Sequence, residues 1–193
     1  MSALPAEKKR WTVEEYLAME RDSLDKHELF GGEIFLMAGA SPEHNLIVSD
    51  LGYALLGTMR GKCQVYASDM RLFIPATGLY TYADTTVVCG TADLTSDNPP
   101  ALRNPDIIFE VLSDATESYD RGDKFANYRT IPSLSHYVLV AQKKILVEHF
   151  TRQADETWNL RELRAGHVLR FPCGEIAVND LYMQLEATRT MSR

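Results

Sequence analysis

Asp106-Ile107-Ile108-Phe109-Glu110-Val111-Leu112 is the stretch on which the fold turns. It is a nearly continuous apolar run of strand length, which predicts a strand buried on both faces at the centre of a sheet. Glu110 is the exception within it. Side chains alternate along a strand, so Glu110 falls on the face that Ile108 and Leu112 share. A carboxylate buried there is costly unless it is paired or bound to a metal. Two plainer readings stand beside a functional one: an exposed strand end, or an internal ion pair with Arg71 or Lys124.

Upstream, Tyr80 to Val88 reads as a strand that carries Asp84, a residue type that strands disfavour. A turn or strand-edge aspartate is its plain alternative. Val65 to Pro75 reads as the neighbouring strand, the two being joined around Ala76-Thr77-Gly78. Gly90 to Asn104 is polar and proline-bearing, hence a loop. Downstream, Glu117 to Arg129 is helical, and Tyr128 lies one turn beyond Lys124 on the same face.

Toward the N-terminus, Thr12-Val13-Glu14-Glu15 is a capping-box helix start, with Tyr16, Leu17 and Met19 as the buried side. His27 to Phe30 and Glu33 to Met37 flank Gly31-Gly32, a two-residue hairpin signal. Ser41-Pro42-Glu43-His44 opens a second helix, with Ser41 as cap and Pro42 in first position. Its apolar residues recur at helical spacing until Gly61. Toward the C-terminus, His136 to Ala141, Ile145 to Phe150 and Trp158 to Leu163 read as strands, and Ile176 to Leu185 as a short helix or docking segment. No repeat or linker interrupts the chain. The reading is a single α+β domain over residues 1–193, with a core about 11–163 and a mixed β-sheet flanked by helices in an α/β/α-like arrangement.

Composition narrows the class. A 193-residue chain that is 45% hydrophobic and 24% charged has the makeup of an ordinary globular protein able to bury a full core. No apolar run approaches the roughly 18 residues needed to span a bilayer, and the first ten residues lack the hydrophobic core of a secretory signal. Three cysteines, odd in number and far apart, argue against a disulfide framework and for a reducing, cytoplasmic setting. The net charge of −7 runs against simple phosphate binding. From Arg121 to Arg152, however, six basic residues face two acids, so a local basic face or ordinary surface charge is open. There is no Gly-x-Ser-x-Gly, no phosphate loop and no Cys-x-x-Cys, and the histidines lack zinc-ligand spacing.

Asp84, Glu110 and Lys124 together point to one chemistry. Two carboxylates suit Mg²⁺, a hard ion that prefers oxygen ligands and keeps waters, with Mn²⁺ as a substitute. Such an ion polarises a phosphoryl oxygen and lowers the pKa of bound water. A nearby lysine orients that water and offsets the charge that builds on phosphorus. Lys124 alone is weak evidence, since helical lysines are usually solvated. Asp69-Met70-Arg71 offers a further polar pair, for which an internal salt bridge is the simplest role.

The order of motifs carries a resemblance. Glu28 before a hairpin, Ser41-Pro42-Glu43-His44-Asn45, Tyr82-Ala83-Asp84, Phe109-Glu110-Val111-Leu112-Ser113 and Asp120-Arg121-Gly122-Asp123-Lys124 followed by Phe125-Ala126-Asn127-Tyr128 resemble the Uma-type restriction endonuclease family of the PD-(D/E)XK nuclease superfamily. The likeness runs from about Trp11 to Arg152. It implies a restriction-endonuclease-like core, Asp84 and Glu110 as metal ligands with the carbonyl of Val111 as a third, and Lys124 as the catalytic lysine. Ala83 stands where the motif has proline, and Leu112 where it usually has lysine, so activity would rest on Lys124 supplied from the helix. Asp106 after Pro105 spells the motif literally but lies only four residues before Glu110.

Glu28 and His44 complete the candidate set. Glu28 can extend the acidic cluster or position a water, or it is an exposed hairpin residue. His44, in a first helical turn, can approach a phosphate together with the helix N-terminus. The function expected is hydrolysis of DNA phosphodiester bonds by a Mg²⁺-dependent endonuclease. By analogy it would act as a homodimer, since cutting two strands needs two sites, and no membrane partner is expected. The alternative is an inactive nucleic-acid-binding or regulatory module on the same fold.

Overall fold

The computed structural model describes residues 9–37 and 39–191. Helix α1 (Val13–Asp22) starts as expected, with Thr12 and Glu15 closing a reciprocal capping box. It covers β1 (His27–Phe30) and β2 (Glu33–Leu36), whose turn uses positive φ at Gly31 and Gly32. Helix α2 (Pro42–Met59) is capped by Ser41, and its buried stripe of Ile47, Leu51, Leu55 and Met59 repeats every four residues.

The two long strands expected between Val65 and Val88 are each broken in two. They form β3 (Gln64–Ala67), β4 (Arg71–Ile74), β5 (Leu79–Tyr82) and β6 (Thr85–Val88). The breaks let the chain change sheets. β4 and β5 join a four-stranded antiparallel sheet in the order β2-β1-β5-β4, whereas β3 and β6 join a six-stranded sheet. Asp84 occupies the second break, between β5 and β6, where no ladder bond is asked of it.

The six-stranded sheet runs β10-β9-β8-β7-β6-β3. Here β7 is Ile107–Leu112, β8 His136–Ala141, β9 Val147–Arg152 and β10 Trp158–Leu163. Only β7 and β8 are parallel. As expected, β7 is central and buried throughout. Strand β9 begins two residues later than the sequence suggests, because 142–146 is consumed in the turn.

The β7 to β8 crossover holds the expected helix from Glu117, in three pieces. They are α3 (Glu117–Tyr119), a π turn (Asp120–Lys124) and α4 (Phe125–Tyr128). After β10 comes a hairpin that the sequence reading missed, β11 (Val168–Phe171) and β12 (Gly174–Ala177). A 3₁₀ turn (Val178–Tyr182) and α5 (Met183–Met191) follow. Short strands of four residues carry too little alternation to stand out.

The alternation along β7 divides the core. Ile107, Phe109 and Val111 pack with α2, the C-terminal hairpin and the 3₁₀ turn. Ile108 and Leu112 pack with Phe125, Tyr128 and residues of β4 and β5. Glu110 therefore sits, as expected, on the face that carries the crossover helix.

Two further readings are corrected. Cys63 and Cys89 form a disulfide, because they extend the β3–β6 register by one pair and so face each other across two strands. Asp69 pairs with Lys26 at 2.6 Å rather than with Arg71. Arg71 is buried with its guanidinium over the rings of Tyr16 and Tyr80. Of the basic residues from Arg121 to Arg152, Lys124 is buried and three others are engaged. Arg121 pairs with Glu117 and Glu148, Lys143 with Asp114, and Arg152 donates to the carbonyls of Arg129 and Ile131. The N-terminal residues 1–8, on which the secretory-signal argument bore, lie outside the described residues. No described helix is long and apolar enough to cross a membrane.

Candidate active site

The sheet change at Asp84 builds the site. Pairing of β6 with β7 ends at Thr85 opposite Phe109, so the next stretch of β7 has an open edge. Asp84 fills it: its Oδ2 accepts the Val111 N–H at 2.7 Å. Within an extended strand the N–H and C=O of one residue point to the same edge, so the Val111 carbonyl faces the Asp84 side as well. The Asp84 N–H in turn donates to Glu110 Oε2 at 3.4 Å. One backbone break thus brings both carboxylates and one carbonyl to a single corner.

Lys124 reaches that corner from the π turn. Its Nζ lies 2.9 Å from Glu110 Oε1, 3.6 Å from Asp120 Oδ1 and 3.8 Å from Glu28 Oε1. A π turn inserts an extra residue per turn and is common at functional positions. Here it lets Asp120 and Lys124 both point inward from one short segment, where both are buried. Tyr128 donates its hydroxyl to Glu110 Oε1 at 2.9 Å, so it braces the acid and packs in the core at once.

Glu28 is buried rather than exposed. The pairing of Leu29 with Tyr80 brings it beside Thr81, whose hydroxyl it accepts, while Tyr119 donates to its other oxygen at 2.8 Å. His44 stands in the first turn of α2 with Nε2 3.2 Å from Asp84 Oδ2. An ionised carboxylate only accepts, so Nε2 carries the proton. Among the described residues Nδ1 of His44 is buried without a partner.

Electrostatics follow from three carboxylates, Glu110, Asp120 and Glu28, gathered around one ammonium. Burial pushes Glu110 well above the ordinary carboxylate range, with Lys124 opposing and Asp120 and Asp84 adding. Burial also raises Asp120, against the pull of Lys124. For Lys124, desolvation alone would favour the neutral amine, but Glu110, Asp120 and Glu28 outweigh it and hold the ammonium above its usual range. Lys124 is therefore a charged donor at neutral pH and not a base.

The donors that converge are all oxygens: Asp84, Glu110 and the Val111 carbonyl. Such a set suits a hard cation such as Mg²⁺ or Mn²⁺, which needs only one or two carboxylates and fills the remaining positions with water and substrate. No three carboxylate or histidine groups crowd together tightly enough here to form an all-protein cage among the described residues. The corner opens into a cavity of about 780 Å³ lined by Glu28, His44, Asp84, Glu110, Asp120 and Lys124. Phe35 and Leu36 form an exposed apolar rim on it.

Residues 13–175 match the Uma2 family, described as "Putative restriction endonuclease". The chain belongs to the Uma2 family. Two proteins of Synechocystis sp. (strain ATCC 27184 / PCC 6803 / Kazusa) are similar to it. Uncharacterized protein sll1609 is 38% identical over 153 residues, covering 79% of this chain and 86% of that one. Uncharacterized protein slr1290 is 34% identical over 154 residues, covering 79% and 80%. The fold is similar to the crystal structure of "a putative nuclease belonging to DUF820" from Anabaena variabilis ATCC 29413. That match has a TM-score of 0.72 at 13% identity and covers 90% of this chain and 98% of the other. At that identity the likeness concerns the mixed α+β fold.

All five side chains singled out in the sequence (Asp84, Glu110, Lys124, Glu28 and His44) meet in one cleft of this Uma2 protein. Asp120, Tyr119 and Thr81 were not singled out. Asp120 had a usable signal, since it precedes Lys124 by one helical turn. Thr81 acts across the β1–β5 pairing and Tyr119 from α3, and neither leaves a local trace.

Proposed function

We propose that this protein is a metal-dependent endonuclease that hydrolyses DNA phosphodiester bonds. The observation that carries the reading is the convergence of Asp84, Glu110 and the Val111 backbone at one break in the sheet, with a charged Lys124 against Glu110. Asp84, Glu110 and the Val111 carbonyl would hold Mg²⁺, or Mn²⁺ in its place. When bound, the ion would polarise a phosphoryl oxygen and lower the pKa of a water.

The chain's own groups have separable tasks. Lys124 donates hydrogen bonds from Nζ, orienting the attacking water and offsetting charge on the phosphoryl oxygens. Glu28 and Asp120 fix the ammonium in place, and Tyr128 holds Glu110. His44 donates to Asp84 and so sets the direction of its free oxygen. Leu112, buried in the apolar core where a lysine is usual, leaves this donor task to Lys124.

The cleft is acidic. Its basic residues among those described are Lys26, already paired with Asp69, and Lys124. DNA binding at this site therefore depends on the divalent ion, and the net charge of −7 works in the same direction. The cytoplasm, where DNA is found, is the setting this reading assigns, with a homodimer supplying a second site for the second strand.

The test is cleavage of duplex and single-stranded DNA by the full chain with Mg²⁺ or Mn²⁺. Asp84→Asn should lower the rate about a hundredfold or more while the melting temperature is kept. Metal binding without cleavage of any nucleic acid would favour the inactive binding module, for which Leu112 and the acidic charge also speak.

A further inference from the structure

All three cysteines of the chain meet at a place unrelated to the cleft. Cys63 lies just before β3 and Cys89 just after β6, while Cys173 sits in the turn between β11 and β12. Their sulfur atoms lie within 4.8 Å of one another. A disulfide needs only two thiols, and the Cys63–Cys89 bond does not explain why a separate hairpin delivers the third. Nor is that delivery loose. Lys62 Nζ donates to the Cys173 carbonyl at 3.1 Å, and Thr58 donates to the Glu175 carbonyl at 3.3 Å, which pins the turn against the end of α2.

Asp106 fixes the backbone at Cys89. Its Oδ2 accepts the Cys89 N–H at 2.7 Å. None of these four residues lines the cleft.

We propose that Cys63, Cys89 and Cys173 form a three-sulfur binding site for a thiophilic divalent cation, Zn²⁺, when the Cys63–Cys89 bond is reduced, the fourth position being taken by water. Three thiolates and a water match a tetrahedral zinc site, whereas the all-oxygen corner at Asp84 suits a hard ion. The chain thus carries two metal sites of opposite preference. A dithiol reduces the bond by two electrons and two protons, giving two thiols and leaving as its own disulfide. Zn²⁺ then displaces the three thiol protons to solvent. The ion ties the C-terminal hairpin, which supplies Leu169, Phe171 and Ile176 to the core, to the edge of the six-stranded sheet. The oxidised pair leaves Cys173 outside that tie.

The experiment uses the full chain reduced with a dithiol, freed of reductant under anaerobic conditions and titrated with Co²⁺, then Zn²⁺. The expected result is a thiolate-to-cobalt charge-transfer band that saturates at one ion per chain, is displaced by Zn²⁺ and survives a large excess of Mg²⁺. Cys173→Ser should cut the band by about a third and weaken binding more than about tenfold. The melting temperature of each oxidised variant checks that it folds. Three titratable thiols without any charge-transfer band in the reduced wild type would overturn the proposal. So would a Cys173→Ser variant that binds Co²⁺ as the wild type does. Neither readout depends on nuclease activity.

Discussion

Lys124 Nζ lies 2.9 Å from Glu110 Oε1, and both side chains are almost sealed from solvent. The ammonium is the compensating charge for an acid at the centre of a sheet. It is also the group that would meet the phosphate, so the same contact governs stability and chemistry.

Lys124→Met separates the two roles. Removing one partner of a buried pair costs about 3 kcal/mol or more where the remaining charge persists. Glu110, already raised by burial, rises further without the ammonium. The fold penalises its ionised form, so the loss grows as pH climbs above the ordinary carboxylate value and shrinks on acidification. Urea unfolding near pH 8 and near pH 5 should show the larger loss at the higher pH. Equal losses would mean that Glu110 is not the uncompensated group.

His44→Ala addresses positioning. His44 touches Asp84, so its removal should raise the Mg²⁺ concentration for half-maximal cleavage about tenfold. The rate at saturating Mg²⁺ should stay near that of the wild type. A fall in that saturating rate with unchanged Mg²⁺ dependence would place His44 on the substrate instead.

A buried pair far from the cleft sets an acid limit. His136 Nδ1 and His149 Nε2 are 2.9 Å apart, and burial pushes both histidines down to about 4. Their folded values lie below the unfolded one, so the neutral forms are the stabilising ones. That stability is present above about pH 6.5 and is lost as pH falls toward about 4. Glu110 and Asp120, being raised, act in the opposite sense, so the comparison is between slopes. His149→Gln should flatten the acid slope of unfolding free energy relative to wild type, and an unchanged slope would contradict the assignment.

Gly174 allows the C-terminal hairpin to touch α2. A Cβ there would run into Thr58 Cγ2. Gly174→Ala should cost about 1–3 kcal/mol. Thr58→Ser, which removes the methyl group and keeps the hydroxyl, should restore most of it. A double variant as unstable as Gly174→Ala alone would place the strain elsewhere.

What the sequence disclosed follows a physical pattern. Asp84 and Glu110 were legible because each breaks a local rule, a carboxylate where a strand should be apolar. The hairpin at Gly31-Gly32 and the caps at Thr12 and Ser41 were legible because they are local devices. The sheet change at Asp84 was not, since short β-rich stretches of four residues read as one long strand. Glu28 reaches Lys124 across the β1–β5 pairing, and Tyr119 reaches Glu28 from the crossover helix. Contacts of that kind arise only after the elements pack. The cysteines mislead for the same reason, being distant in sequence and adjacent through the β3–β6 register.

The most direct test of the account is anomalous scattering from a crystal soaked in Mn²⁺. It predicts an ion held by Asp84, Glu110 and the Val111 carbonyl, with the Lys124 ammonium within a few ångströms and still against Glu110. A crystal with Mn²⁺ bound elsewhere, or with none in this corner at saturating concentration, would contradict it.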